Sequence, residues 1–220
     1  MGSVHRRHRW LVLTALFWLL AGCGLLFRGA PPGVQDGAQE EASESRDEEP
    51  LPPGFGTLRQ DDVTVTLLRP DMQIKVTPLA ESITRVTAPD TYERLASLAR
   101  AHRETMERRN PGLREAELFL VSLFSELPDV AFEPEDLNLV SRGFRYRPLA
   151  IVPVTPGWVS RRLQPRRTEM AVYAFDPGLD LETDLEVEYR ETRSRSWDGI
   201  LPQVEAERAR ARSRAGLSAY

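Results

Sequence analysis

The sequence predicts a mainly β, α+β fold: a β-sandwich with one inserted helix and a C-terminal helix. Three observations predict it. Apolar and polar residues alternate at 63–67, 72–76 and 185–189, the period of a half-buried strand. Turn residues recur between short apolar runs. Only two stretches carry helical spacing.

Val63, Val65 and Leu67 alternate with Thr64 and Thr66, Arg69-Pro70-Asp71 reads as a turn, and Met72, Ile74 and Val76 alternate again. Together they form a hairpin. Pro89-Asp90 followed by Glu93 marks a helix start with a capping-box-like pair. Tyr92, Leu95, Ala99, His102 and Met106 keep helical spacing until Asn110-Pro111-Gly112 ends the helix. Leu118 to Phe124 is a nearly continuous apolar run between breakers, which suits a strand buried on both faces. Further strands are expected at Val130–Phe132, Leu137–Val140, Phe144–Tyr146, Leu149–Val154 and Met170–Phe175. Prolines at 128, 134, 148, 153 and 156 have no N–H for a central ladder, so these strands are expected to be short or at edges. Asp176 to Asp184 then reads as a hairpin connection, and Leu185, Val187 and Tyr189, alternating with Glu186, Glu188 and Arg190, as a one-sided final strand. The second helix is expected from about Gln203 to Ala215, beyond Trp197 and Pro202. The whole is loosely immunoglobulin-like.

The N-terminus has a different character. His5-Arg6-Arg7-His8-Arg9 is basic, no acid precedes Asp36, and Trp10 to Leu20 is an apolar run of signal-peptide length. The next residues, Leu20-Ala21-Gly22-Cys23, resemble the lipobox of bacterial lipoproteins. The resemblance implies a signal peptide over 1–22, a diacylglycerol thioether on Cys23 and an acyl chain on its amine. Several chains, each contributing about 0.8 kcal/mol per buried methylene, anchor firmly to a membrane. The alternative keeps Trp10 to Phe27 as an uncleaved span. In either case the basic residues stay cytoplasmic and the following domain faces outward. Gly24, where an Asp would favour the inner membrane, implies an outer-membrane lipoprotein facing the periplasm or the cell surface.

Pro31-Pro32-Gly33, the acidic run from Glu40 to Glu49, and Pro50 with Pro52-Pro53-Gly54 lack core-forming surface, so 23–54 reads as a disordered tether. Coil scaling gives such a segment a reach of about 30 Å. The expected organisation is signal peptide 1–22, lipidated Cys23 and tether to 54, sandwich 55–202, and helical tail 203–220.

Composition narrows the function. With 29 basic and 33 acidic residues the 220-residue chain has a formal net charge of −4, which argues against nucleic-acid binding. Lys75 is the only lysine, a skew that fits GC-rich coding as well as anion clamps. One cysteine permits no intramolecular disulfide. Removing the signal peptide leaves His102 as the single histidine, which excludes a Cys-His pair and a His-rich zinc site within one chain. His102 lies on an apolar helical stripe, the place of a core residue rather than a catalytic base.

Carboxylates remain. Glu133, Glu135 and Asp136 crowd a Pro-containing loop, and two such acids a few ångströms apart can hydrolyse glycosides. Asp180, Glu182 and Asp184 alternate as oxygen ligands do in calcium loops, yet Leu185 stands where that motif requires glycine. Trp158, Trp197, Tyr146 and Phe144 could line a sugar- or peptide-binding face, although aromatics in a sandwich are more often core. Arg208, Arg210, Arg212 and Arg214 are spread around the last helix as a solvated tail. The expected function is therefore a membrane-anchored envelope lipoprotein with a non-enzymatic binding or scaffolding domain, no cofactor, and an envelope protein or cell-wall component as partner. A polysaccharide hydrolase, or an accessory subunit of a secretion or surface-assembly complex, are the alternatives. Cys23→Ser should abolish incorporation of labelled palmitate and leave the precursor uncleaved on a denaturing gel; unchanged labelling refutes the lipobox reading.

Overall fold

The computed structural model describes residues 50–217. Cys23, the signal segment and the tether up to Glu49 lie outside them. The strands are β1 (Val65–Leu68), β2 (Gln73–Pro78), β3 (Glu117–Phe124), β4 (Val130–Ala131), β5 (Leu137–Ser141), β6 (Phe144–Tyr146), β7 (Ala150–Pro153), β8 (Arg162–Leu163), β9 (Thr168–Phe175), β10 (Glu186–Tyr189) and β11 (Thr192–Ser194). The helices are α1 (Glu81–Thr84), α2 (Pro89–Arg109) and α3 (Trp197–Arg214). Among the described residues no helix is long and apolar enough to cross a membrane.

The architecture is an α+β sandwich built on antiparallel sheets. Five strands form the larger sheet in the order β1-β2-β3-β9-β7, four form the second in the order β11-β10-β5-β6, and β4 pairs with β8 in a short ribbon. The run read as a doubly buried strand is β3, the middle strand of the larger sheet. Phe119, Val121 and Leu123 pack on the side of the second sheet, with Leu139 from β5 and Val187 from β10. Leu118 and Leu120 face the other way, against Leu95 and Met106 of α2. Pro78 and Pro153 both end their strands, where a missing N–H breaks little of the ladder.

The two flanks of the sandwich differ. On one, β1 and β11 meet: Ser194 Oγ donates to the Thr66 carbonyl at 2.9 Å, and Arg69 Nη1 donates to Thr192 Oγ1 at 3.2 Å. On the other, edge strands β6 and β7 follow each other through residues 147–149. The turn from β5 to β6 has Arg142 at φ 49° and Gly143 at φ 77°, two successive left-handed residues, as a two-residue hairpin of right-handed twist requires.

Several expectations are corrected. Val63 belongs to a 3-10 turn, Gln60–Val63, before the hairpin. The capping box at Asp90 and Glu93 does not form; α2 is capped by Ala88 without a side-chain bond, and Pro89 serves as its first residue. Asp176 to Asp184 is no hairpin connection, because β9 and β10 belong to different sheets and the segment carries the chain between them. β10 is not the last strand, since β11 pairs with it. Nor is the end of the chain a solvated tail: α3 starts at Trp197 and buries Trp197, Ile200, Val204 and Ala211 in the main core. Pro202 lies exposed inside α3, in its early turns, with its ring toward water. The domain also starts before Phe55, because Leu51 is already a core residue.

That early segment is a strap. Leu58 donates to Val86 O at 3.2 Å and accepts from Ala88 N at 2.8 Å. Gly56 passes so close that a Cβ there would meet the Val86 carbonyl carbon at 2.1 Å, so only glycine fits. Glu207 of α3, buried, anchors the other side. It accepts from Thr57 Oγ1 at 2.8 Å and from Arg210 Nη1 at 3.1 Å, and pairs with Arg214, which also donates to Phe55 O at 2.6 Å. Burial opposes the charge of Glu207, but the bonds from Thr57, Arg214 and Arg210 outweigh it and hold its pKa below the ordinary 4.5. A lowered folded value means that this contribution is full above the ordinary range and is lost as pH falls through the folded pKa. Glu207→Gln should therefore cost about 1–3 kcal/mol at neutral pH, and urea unfolding should show the gap to wild type closing in acid.

Candidate binding groove

The residues singled out from sequence fall into separate places. Cys23 lies outside the described residues. Trp158 and Trp197 are core: Trp158 packs edge-on against Phe132 at 5.0 Å and Tyr173 at 6.1 Å. Tyr146 is half-buried at the rim of the core, and Phe144 is exposed next to the β5–β6 turn. No aromatic face joins them. His102 is half-buried, its Nδ1 bonded to the Leu98 carbonyl oxygen at 2.9 Å.

The acids of the 133–136 loop are tied down by arginines. Arg161 spans Glu133 at 2.6 Å and Glu135 at 2.8 Å, and Arg190 holds Asp136 at 2.8 Å. Those carboxylates strengthen the hold of Arg161 on its proton, Glu135 through its charge and Glu133 through its hydrogen bond. Tyr189 and Tyr173 brace the loop from below: the Glu133 amide donates to Tyr189 Oη, and Tyr173 Oη donates to Pro134 O. Burial raises the pKa of both phenols. Arg161 thus bridges the two acids, one guanidinium nitrogen to each carboxylate.

Asp180, Glu182 and Asp184 diverge in use. Asp180 pairs with Arg142 and caps the Glu182 amide at 2.9 Å; Asp184 accepts from the Arg142 amide at 3.2 Å; Glu182 takes Arg208 of α3 at 2.8 Å. Their alternation has a packing origin, because Leu181 between them and Leu179 and Leu185 on either side of them are buried. Among the described residues no group of three or more His, Cys, Asp or Glu is arranged to hold a metal ion. Arg210 and Arg214 clasp Glu207, and Arg208 also reaches Ser82 O, so the C-terminal arginines work as struts of the domain.

A concavity that no sequence motif marks lies between α1, α2 and the start of β3. It encloses about 700 Å³. One wall is the face of α2 that carries Tyr92, Ala96, Ser97, Arg100 and Arg103; the other is Leu79 to Thr84, the chain leaving β2; Glu117 closes one end. This size suits a small ligand or a few residues of a chain. Thr84 lines the groove and is 1% exposed, and its Oγ1 is a buried polar atom with no hydrogen-bond partner. An unpaired buried hydroxyl is costly, of order 1–3 kcal/mol. At the far end Arg103 Nη1 donates to the main-chain oxygens of Arg114 and Ala116, at 2.6 and 3.1 Å, which fixes its guanidinium beside Glu117. Burial raises the pKa of Glu117, and the charge of Arg103 offsets this only in part. Glu81, on the rim, is taken up by Arg85.

Sequence reasoning missed this site because its parts look ordinary one by one. α1 is four residues long, too short for a periodic signal, and Glu117 reads as the polar edge of an apolar run. The one available cue was on α2, where Ser97, Arg100 and Arg103 share a face with Tyr92 and Ala96. No protein-family model, curated protein or solved structure matches this chain. Its own residues are what a functional reading has to stand on. Melting the protein with millimolar calcium and then with chelator should give midpoints within about a degree, since a site binding the ion would stabilise by mass action. A rise of several degrees, lost in the variant carrying Asp180→Asn and Asp184→Asn, would make Asp180, Glu182 and Asp184 a calcium site.

Proposed function

We propose that the chain is an outer-membrane lipoprotein, anchored through Cys23, whose folded domain binds another envelope component in the groove between α1 and α2. The observation that carries the binding role is the groove of about 700 Å³ between α1 and α2, closed at one end by the half-buried carboxylate of Glu117. The anchoring role rests on the lipobox resemblance at Leu20 to Cys23.

The domain acts without breaking bonds in this proposal. The carboxylates grouped on the 133–136 loop are engaged by Arg161 and Arg190, which favours a bracing role for them. Within the groove Glu117 sits beside a guanidinium, an arrangement that orients a bound polar group. Tethered binding also profits from confinement: a flexible anchor raises the local concentration of the groove near the membrane-associated partner.

The test uses Ser97→Trp, an exposed α2 position whose indole would fill the groove without entering the core. Full-length protein should be cross-linked in membranes, purified, and compared with the variant after equal melting midpoints are verified. At least one envelope component should be captured by wild type and lost, by about tenfold or more, from the variant. Identical captured sets would refute the groove as the binding site, and wild-type-dependent cleavage of an added envelope glycan would make the protein an enzyme.

A further inference from the structure

We infer that the groove takes a short extended peptide and seats a primary ammonium group of that peptide against Glu117. The inference rests on the groove being the binding site proposed above, and adds what it recognises.

Length sets the first limit. From Tyr92 to Arg103 the wall on α2 spans twelve residues, about 16 Å at a rise of about 1.5 Å per step. An extended chain rises about 3.3 Å per residue, so four or five residues fill it. The lining has what an extended main chain needs. Ser97 offers an exposed hydroxyl on the α2 wall, and Leu79 and Ala96 supply small apolar contacts beside it.

Charge sets the second limit. Glu117 has no hydrogen-bond donor on its carboxylate among the described residues, although burial disfavours its charge and Arg103 compensates it only from beside. Arg103 spends its Nη1 on two main-chain oxygens and forms no ion pair with Glu117 among the described residues. The carboxylate thus has no protein donor in a half-buried place. An ammonium supplies three donors on a compact charge and fits such an end better than a second planar guanidinium would beside Arg103. With Glu81 taken up by Arg85, the lining sets Glu93 and Glu117 against Arg100 and Arg103, which leaves it formally balanced. Arg100, exposed on the rim with only a 3.4 Å contact to Ser97, is placed to meet carbonyl oxygens of the same peptide.

The test is calorimetric titration of the full chain with a terminally blocked tetrapeptide containing one lysine, and with its counterpart acetylated on the lysine amine. The lysine peptide should bind and acetylation should weaken it by about tenfold or more, the scale of one charge-assisted hydrogen bond. Glu117→Gln, an isosteric change, should produce a similar loss, and Ser97→Trp should abolish binding of both peptides. Should Glu117→Gln fail to fold, the acetylation and Ser97→Trp arms still decide. Equal affinity for the two peptides, no binding of either, or binding that survives Ser97→Trp overturns the inference. The wider reading fails separately, through membrane capture that Ser97→Trp leaves unchanged.

Discussion

The organisation of this domain depends on one strand that is apolar on both faces. β3 points Phe119, Val121 and Leu123 one way and Leu118 and Leu120 the other, so neither face can be left to water. A single partner layer would bury only half of it. The fold answers with the second sheet and α3 on one side and α2 on the other. Both core clusters therefore share the same sheet, and β9 repeats the arrangement with Tyr173 and Phe175 opposite Val172 and Ala174. Whatever shifts β3 disturbs both layers at once.

The groove is a by-product of how the outer layer is attached. α2 must lie over β3 and β9, yet the chain reaches it from the end of β2 through Leu79 and the short α1. The connection rises beside the helix rather than beneath it, and the space between the two is left open. Arginines then determine which acids around the domain remain available. Arg161, Arg190, Arg142, Arg208 and Arg85 each occupy a carboxylate. Exposed pairs of this kind contribute about 0–1 kcal/mol each, so their larger effect is on charge distribution. Glu117, half-buried and beside an arginine committed elsewhere, stands apart from that pattern.

Elements with a strong local period were legible in the sequence: the β1–β2 hairpin from Val65 onward, the limits of α2 and the doubly buried run at Leu118 to Phe124 lie where alternation or helical spacing put them. Pairing partners were not, since period 2 is the same whether β9 leads to its neighbour or to another sheet. The leucines at 179 and 181 show the difficulty. Buried together with Leu185, they leave the acids at 180, 182 and 184 at the more exposed positions, an alternation that reads like a ligand pattern. Pro202 misleads in the opposite sense: a proline suggests a barrier before the last helix, whereas Trp197 and Ile200, buried ahead of it, draw the helix back to an earlier start. The groove was illegible for a simpler reason. It is assembled from α2, from the stretch after β2 and from Glu117, segments that become neighbours only in the folded chain.

The strap at the start of the domain gives the molecule a defined mechanical entry point. Tension arriving along the chain at Leu51 meets, in sequence, a buried leucine, Phe55 O gripped by Arg214, Gly56 wedged against Val86, and Thr57 bonded to Glu207. Leu58 then runs parallel to Thr87, so a pull along the strap loads those bonds together in shear instead of unzipping them one at a time. The far end of the load path is α3, bound into the main core by Trp197 and Val204. A pull at Leu51 is therefore resisted by the body of the sandwich through α3, while the strap's bonds to Val86 and Ala88 pass part of the load to the residues that lead into α2.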